Sequence, residues 1–139
     1  MQALTRRSFI CGSAAVGALT ALPAVAATGV KTVGGKTQIN LKLNPELKTV
    51  GGVVELSIKK YFGKVAVVRT SKSAKGFSVF SLACPHIGVT VQQDGAGRWI
   101  CKPPGHGSEF KLNGEYISGV ANSSLSPIKF VLKNNLLII

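Results

Sequence analysis

Apolar and polar residues alternate along much of the chain beyond residue 36. Ile39, Leu41 and Leu43 are separated by polar or charged neighbours, and Val54, Leu56 and Ile58 alternate with Val53, Glu55, Ser57 and Lys59. A period of two marks strands with one face in a core. The same reasoning predicts strands at Lys64 to Arg69, Gly76 to Leu82, Gly88 to Gln92, Arg98 to Cys101, Glu109 to Leu112, Glu115 to Ser118, Ile128 to Leu132 and Leu136 to Ile139. Turn pairs punctuate them: Gly34-Gly35, Gly51-Gly52, Asp94-Gly95, Asn113-Gly114 and Asn134-Asn135. Asn113-Gly114 is the clearest hairpin, because such pairs tolerate the positive φ that a tight connection needs. Helical periodicity is not evident after residue 30. The predicted fold class is all-β, a small antiparallel sandwich or barrel.

The first thirty residues depart from this pattern. Thr5-Arg6-Arg7-Ser8-Phe9-Ile10 opens an uncharged run, rich in Ala, Gly and Leu, that extends to Val30. The basic pair before an apolar stretch resembles a twin-arginine signal, and Ala24-Val25-Ala26 has the small-x-small form of a cleavage site, with Pro23 before it. The expected organisation is a signal over residues 1–26 and an exported, periplasmic domain over 27–139. The run also has the length, about 20 residues, of a retained membrane anchor. Its weakly apolar composition and Pro23 favour cleavage. Twin-arginine export moves folded proteins, often with a metal cofactor already inserted.

Composition narrows the function. The 139 residues include 17 Lys plus Arg against 5 Asp plus Glu, and 45% are hydrophobic. That is one domain with a core, not a disordered basic tail. Beyond residue 26 the net charge is +10. Most lysines alternate with apolar residues on solvated strand faces, where they also discourage edge pairing. Export argues against nucleic acid and leaves an acidic protein face or an anionic membrane surface as the partner of this charge.

Any site of Cys and His has few residues to draw on. There are 3 Cys and 2 His, and Cys11 falls in the signal. The other four lie within 23 positions, in Cys84-Pro85-His86-Ile87-Gly88 and Cys101-Lys102-Pro103-Pro104-Gly105-His106-Gly107-Ser108. Each segment follows a predicted strand, is rich in Gly and Pro, and pairs one thiol with one imidazole. Three chemistries fit: tetrahedral zinc, a Cys84–Cys101 disulfide in an exported domain used for binding, or a [2Fe-2S] cluster with both thiolates on one iron and both imidazoles on the other.

These segments resemble the Rieske iron-sulfur family, whose signature is Cys-x-His followed by Cys-x-x-His-Gly-Ser. The similarity continues through Asn113-Gly114-Glu115-Tyr116-Ile117-Ser118-Gly119 and covers about residues 36 to 139. It implies a Rieske-type sandwich with two cluster-binding loops. Cys84, His86, Cys101 and His106 would be the metal ligands, and Ser108 would donate to a bridging sulfide. The second interval departs from the signature: four residues separate Cys101 from His106, and Pro103 occupies the usual cysteine position. The His86–His106 separation of 20 positions is kept. Phe110 stands where high-potential members carry a Tyr, and no cysteines remain for their loop disulfide, so the resemblance implies a low-to-middle potential. The implied function is one-electron transfer to a redox partner such as a cytochrome with an acidic docking face. The alternatives are a Rieske subunit of a quinol:cytochrome oxidoreductase or of a molybdenum oxidoreductase.

Overall fold

The computed structural model describes residues 23–61, 63–95 and 97–139. The twin-arginine motif, Cys11 and most of the expected signal lie outside the described residues. Twelve strands are present among the described residues: β1 (Val25–Ala26), β2 (Val30–Val33), β3 (Lys36–Asn40), β4 (Val53–Ile58), β5 (Gly63–Arg69), β6 (Phe77–Ser81), β7 (Gln92–Gln93), β8 (Arg98–Ile100), β9 (Glu109–Lys111), β10 (Tyr116–Ser118), β11 (Val131–Lys133) and β12 (Leu136–Ile138). They form three four-stranded sheets, ordered β1-β4-β5-β6, β10-β9-β8-β7 and β11-β12-β3-β2. All pairs are antiparallel except β1 with β4, which is parallel. The all-β expectation holds.

The sheet containing β4, β5 and β6 is buried on both faces. Along β5, Val65 and Val67 enter one core cluster while Ala66 and Val68 enter the other, as successive side chains must. This double burial explains the continuous Val-Ala-Val-Val run, which a half-exposed strand would have interrupted with polar residues. One cluster, with Ile39, Val54 and Leu137, joins the central sheet to β3 and β12. The other, with Val53, Phe80, Trp99 and Phe110, joins it to β8 and β9 and includes Cys84 and Cys101. Phe80 meets Trp99 edge to face at 5.9 Å, and the Trp99 indole N–H donates to the Leu112 carbonyl at 3.0 Å.

Several predicted strands are displaced. Leu41–Leu43 forms a 3-10 turn, because the Asn40 side chain accepts from the Lys42 N–H at 3.0 Å and begins it. Asn44 then pins this turn to the N-terminal segment, accepting from Thr28 N–H and donating to the Thr28 and Asn40 carbonyls at 2.7 to 2.8 Å. In the predicted strand Gly88 to Gln92, only a single bridge, Ala83 with Thr90, precedes β7. The 128–132 strand begins at Val131, after a bridge between Phe80 and Pro127. β2, which begins at the last residue of the uncharged run and is not among the predicted strands, pairs with β3 through the Gly34-Gly35 turn. The expected cleavage point after Ala26 falls at the end of β1, where Ala27 N–H donates to the Glu55 carbonyl at 2.8 Å.

Candidate metal centre

The two Cys-His segments are loops, one after β6 and one between β8 and β9, and both close in the same way. In the first, Cys84 N–H donates to the Val89 carbonyl and Gly88 N–H donates back to the Cys84 carbonyl, both at 2.8 Å. In the second, Cys101 N–H donates to the Ser108 carbonyl and Gly107 N–H to the Cys101 carbonyl, both at 2.9 Å. Each cysteine thus commits both its backbone groups to closing its own loop, which satisfies them in a buried place. Each closing glycine has positive φ, +77° at Gly88 and +73° at Gly107, a conformation costly for other residues.

The two extra residues of the second loop are taken up inside that closure. Gly105 N–H donates to the Lys102 carbonyl at 2.8 Å, so Lys102 to Gly105 makes a tight turn of its own; the Pro103–Pro104 peptide within it is cis. Gly105 is there because there is no room for a side chain. A Cβ would collide with the Cys101 sulfur and lie 2.8 Å from the Lys102 carbonyl oxygen.

The side chains sort by kind. Cys84 and Cys101 are buried at 2% and 1% exposure and are free thiols. His86 and His106 are exposed, their rings edge to face with centroids 4.6 Å apart. Burial, and then the hydrogen bond with Cys84, push the Cys101 thiol above its ordinary value, while the His106 backbone N–H acting on the sulfur pulls it down. The structure therefore brings all four sequence-predicted residues to one end of the domain as two pairs. Among the described residues, no group of three or more His, Cys, Asp or Glu is gathered as a single metal ion would require.

Ser108 is fully buried behind the second loop, and its hydroxyl oxygen accepts from Ala121 N–H at 3.1 Å. The Ser108 hydroxyl proton is left to donate elsewhere. Sequence reasoning missed the segment that makes this contact, Gly119 to Ala121. It holds no thiol, imidazole or carboxylate. The one signal was Gly119, with φ +104° and packed so closely that a Cβ would stand 2.5 Å from the Ser108 Cα. Tyr116 also donates its hydroxyl to the Gly119 carbonyl at 2.6 Å. Phe110 is fully buried against Tyr116, ring centroids 6.3 Å apart.

No family model and no curated protein matches the chain. Solved structures do. The chain is similar to the plasma membrane Rieske protein PetC3 of the cyanobacterium Synechocystis PCC 6803, at 27% identity and a TM-score of 0.52, over 63% of this chain and 86% of that one. It is also similar to the quaternary ammonium Rieske monooxygenase CntA, at 19% identity and a TM-score of 0.51, over 68% of this chain and 28% of that one. The all-β arrangement of antiparallel sheets matches the fold of these Rieske domains.

Proposed function

We propose that this chain is an exported one-electron carrier holding a [2Fe-2S] cluster, with Cys84 and Cys101 on one iron and His86 and His106 on the other. The observation that carries the reading is the sorting of the donors into a buried thiol pair and an exposed imidazole pair. Two donors of each kind are what mixed ligation of two irons requires; a zinc site would need all four gathered on one point. When bound, such a cluster supplies a reversible one-electron couple, with potentials spanning roughly −150 to +300 mV.

The residues have separable roles. The backbone closures at Cys84 and Cys101 keep the two sulfurs in place, so changes in charge meet little rearrangement. The Ser108 hydroxyl is the donor toward the cluster sulfur, and Phe110 offers none; with no loop disulfide among the described residues, the potential is in the low-to-middle part of the range. The exposed histidine edges are the electron's exit. A partner meets Pro85, Ile87, Pro103 and Pro104, all exposed, and a single charge in the two loops, Lys102. Lys102 is the one charge there for an acidic cytochrome face to meet, so association has a shallow salt dependence.

Spectroscopy tests the reading. Dithionite-reduced protein should give the rhombic paramagnetic signal of mixed His and Cys ligation, with about two iron and two labile sulfide per chain. Colourless protein that contains zinc, or no metal and no reactive thiol, would overturn it. A redox titration at the top of the range would remove the low-to-middle assignment while leaving the cluster.

A further inference from the structure

One group of five cations in this domain lies away from the histidines, while Lys59, Lys60 and Lys64 stand at the opposite end of β5 and Lys102 lies in the second loop. In the central sheet Arg69 pairs with Phe77 at one end of β5 and β6, while Leu82 N–H reaches the Lys64 carbonyl at the other, just before Cys84. Five steps along the strand lead from Phe77 to Leu82, about 17 Å at roughly 3.4 Å per step. The Arg69 end carries Lys42 and Lys48, which line a cleft of about 280 Å³ with Arg69 and Phe77. It also carries Lys72, whose carbonyl accepts from Arg69, and Lys75 in the same connection. Glu55, Asp94, Glu109 and Glu115 are ion-paired with Lys64, Arg98 and Lys111, and Glu46, between Lys42 and Lys48, is the one carboxylate in this group, which therefore carries five cations against one acid.

Two further observations say what this end meets. The Arg69 Nε–H is buried and has no partner among the described residues, though the guanidinium lies 4.4 Å from the Phe77 ring centroid. Two of the most exposed large aliphatics are here: Leu43 at 53%, beside Lys42, and Val131 at 64%, sharing a recess with Lys75.

We propose that the Arg69 end is a membrane-seating face for anionic phospholipid headgroups, with Lys42, Lys48, Arg69, Lys72 and Lys75 meeting phosphates and Leu43 and Val131 entering the interface. Cations with flanking aliphatics have the composition of an interfacial surface. Seated this way, the domain holds His86 and His106 on the side away from the bilayer. The proposal goes beyond the electron-transfer reading and stands without it, because no ligand of the metal centre takes part.

The test is a hydrogen-exchange footprint of the full chain on vesicles of phosphatidylcholine alone and of equal parts phosphatidylcholine and phosphatidylglycerol. Residues 41–50 and 70–76 should gain protection on the mixed vesicles only, with exchange in residues 84–89 and 101–108 unchanged. Each lysine changed to Gln among Lys42, Lys48, Lys72 and Lys75 should lower the seating equilibrium about five-fold, from roughly 1 kcal/mol per cation near an anionic surface. Equal footprints on both vesicle types, protection of the histidine loops instead, or protection of the Arg69 end only by a soluble acidic protein would each overturn the proposal. Thermal melts of the Gln variants confirm that they fold, and the cluster's paramagnetic signal reports separately on the metal centre.

Discussion

The two Cys-His loops carry the same donors by different spacings. In the first, one residue separates Cys84 from His86; in the second, four separate Cys101 from His106. Yet the backbone closure is identical in kind, cysteine N–H and carbonyl both engaged, and is wider by two residues in the second loop. The difference teaches that the interval between ligands is not what positions a thiol. The closing bonds position it, and surplus chain can be folded inside them provided one residue has no side chain.

Removing either thiol should have the largest effect, and the same one. Cys84→Ser and Cys101→Ser should each abolish the rhombic signal and drop bound iron to background; retention in Cys101→Ser alone would mean that the second loop supplies another ligand and that the loops are not equivalent. Gly105→Ala comes next. Its methyl group strikes the Cys101 sulfur, so iron content should fall severely although both thiols are present. Full loading of that variant would show that the inner turn is loose.

Ser108→Ala leaves the Ala121 N–H without its acceptor, at a cost of about 1–3 kcal/mol in a chemical melt, and lowers the reduction potential by removing a donor. An unchanged potential would confine Ser108 to a structural role. The first loop predicts something milder. At Gly88 there is open space and only the positive φ to resist a methyl group, so Gly88→Ala should cost about 1–2 kcal/mol and keep its iron. If it lost the cluster as Gly105→Ala does, the contrast between a glycine needed for space and one needed for conformation would fail.

The smallest effect lies away from both loops. Lys111 bonds to Glu115 and holds its carboxyl below the ordinary value. Such a group stabilises the fold above its unfolded-state pKa, and the contribution is lost as pH falls through the lowered folded-state value. Glu115 is exposed, so Glu115→Gln should lower the melting temperature slightly at neutral pH, converge with the parent in acid, and leave the potential unmoved. A persistent difference in acid would assign the effect to something other than the ion pair.

The metal-centre candidates were legible because Cys and His are scarce and fall in two loops. The hairpin at Asn113-Gly114 and the long buried strands were legible from turn chemistry and apolar runs. What escaped was decided by contacts invisible to local pattern. Leu41 and Leu43 alternate like a strand, but the Asn40 and Asn44 side chains bend the backbone into a turn. Val89 and Thr90 read as strand, but the Val89 carbonyl closes the cysteine loop. The support behind Ser108 comes from Gly119 to Ala121, residues with no distinctive chemistry. β1 lies where the sequence reads as a cleavage motif, and its strand character depends on the β4 edge that receives it.

That parallel β1–β4 junction has a mechanical consequence. A pull on the chain ahead of Pro23 acts along β1, so the bonds to β4 lie across the load and resist it together in shear, where a hairpin end would peel one bond at a time. Ala24 and Val25 pack against opposite core clusters, and Ala24 N–H is held by the Gln93 side chain at 2.8 Å. A tug at the N-terminus is therefore shared between both halves of the interior before it reaches either cysteine loop.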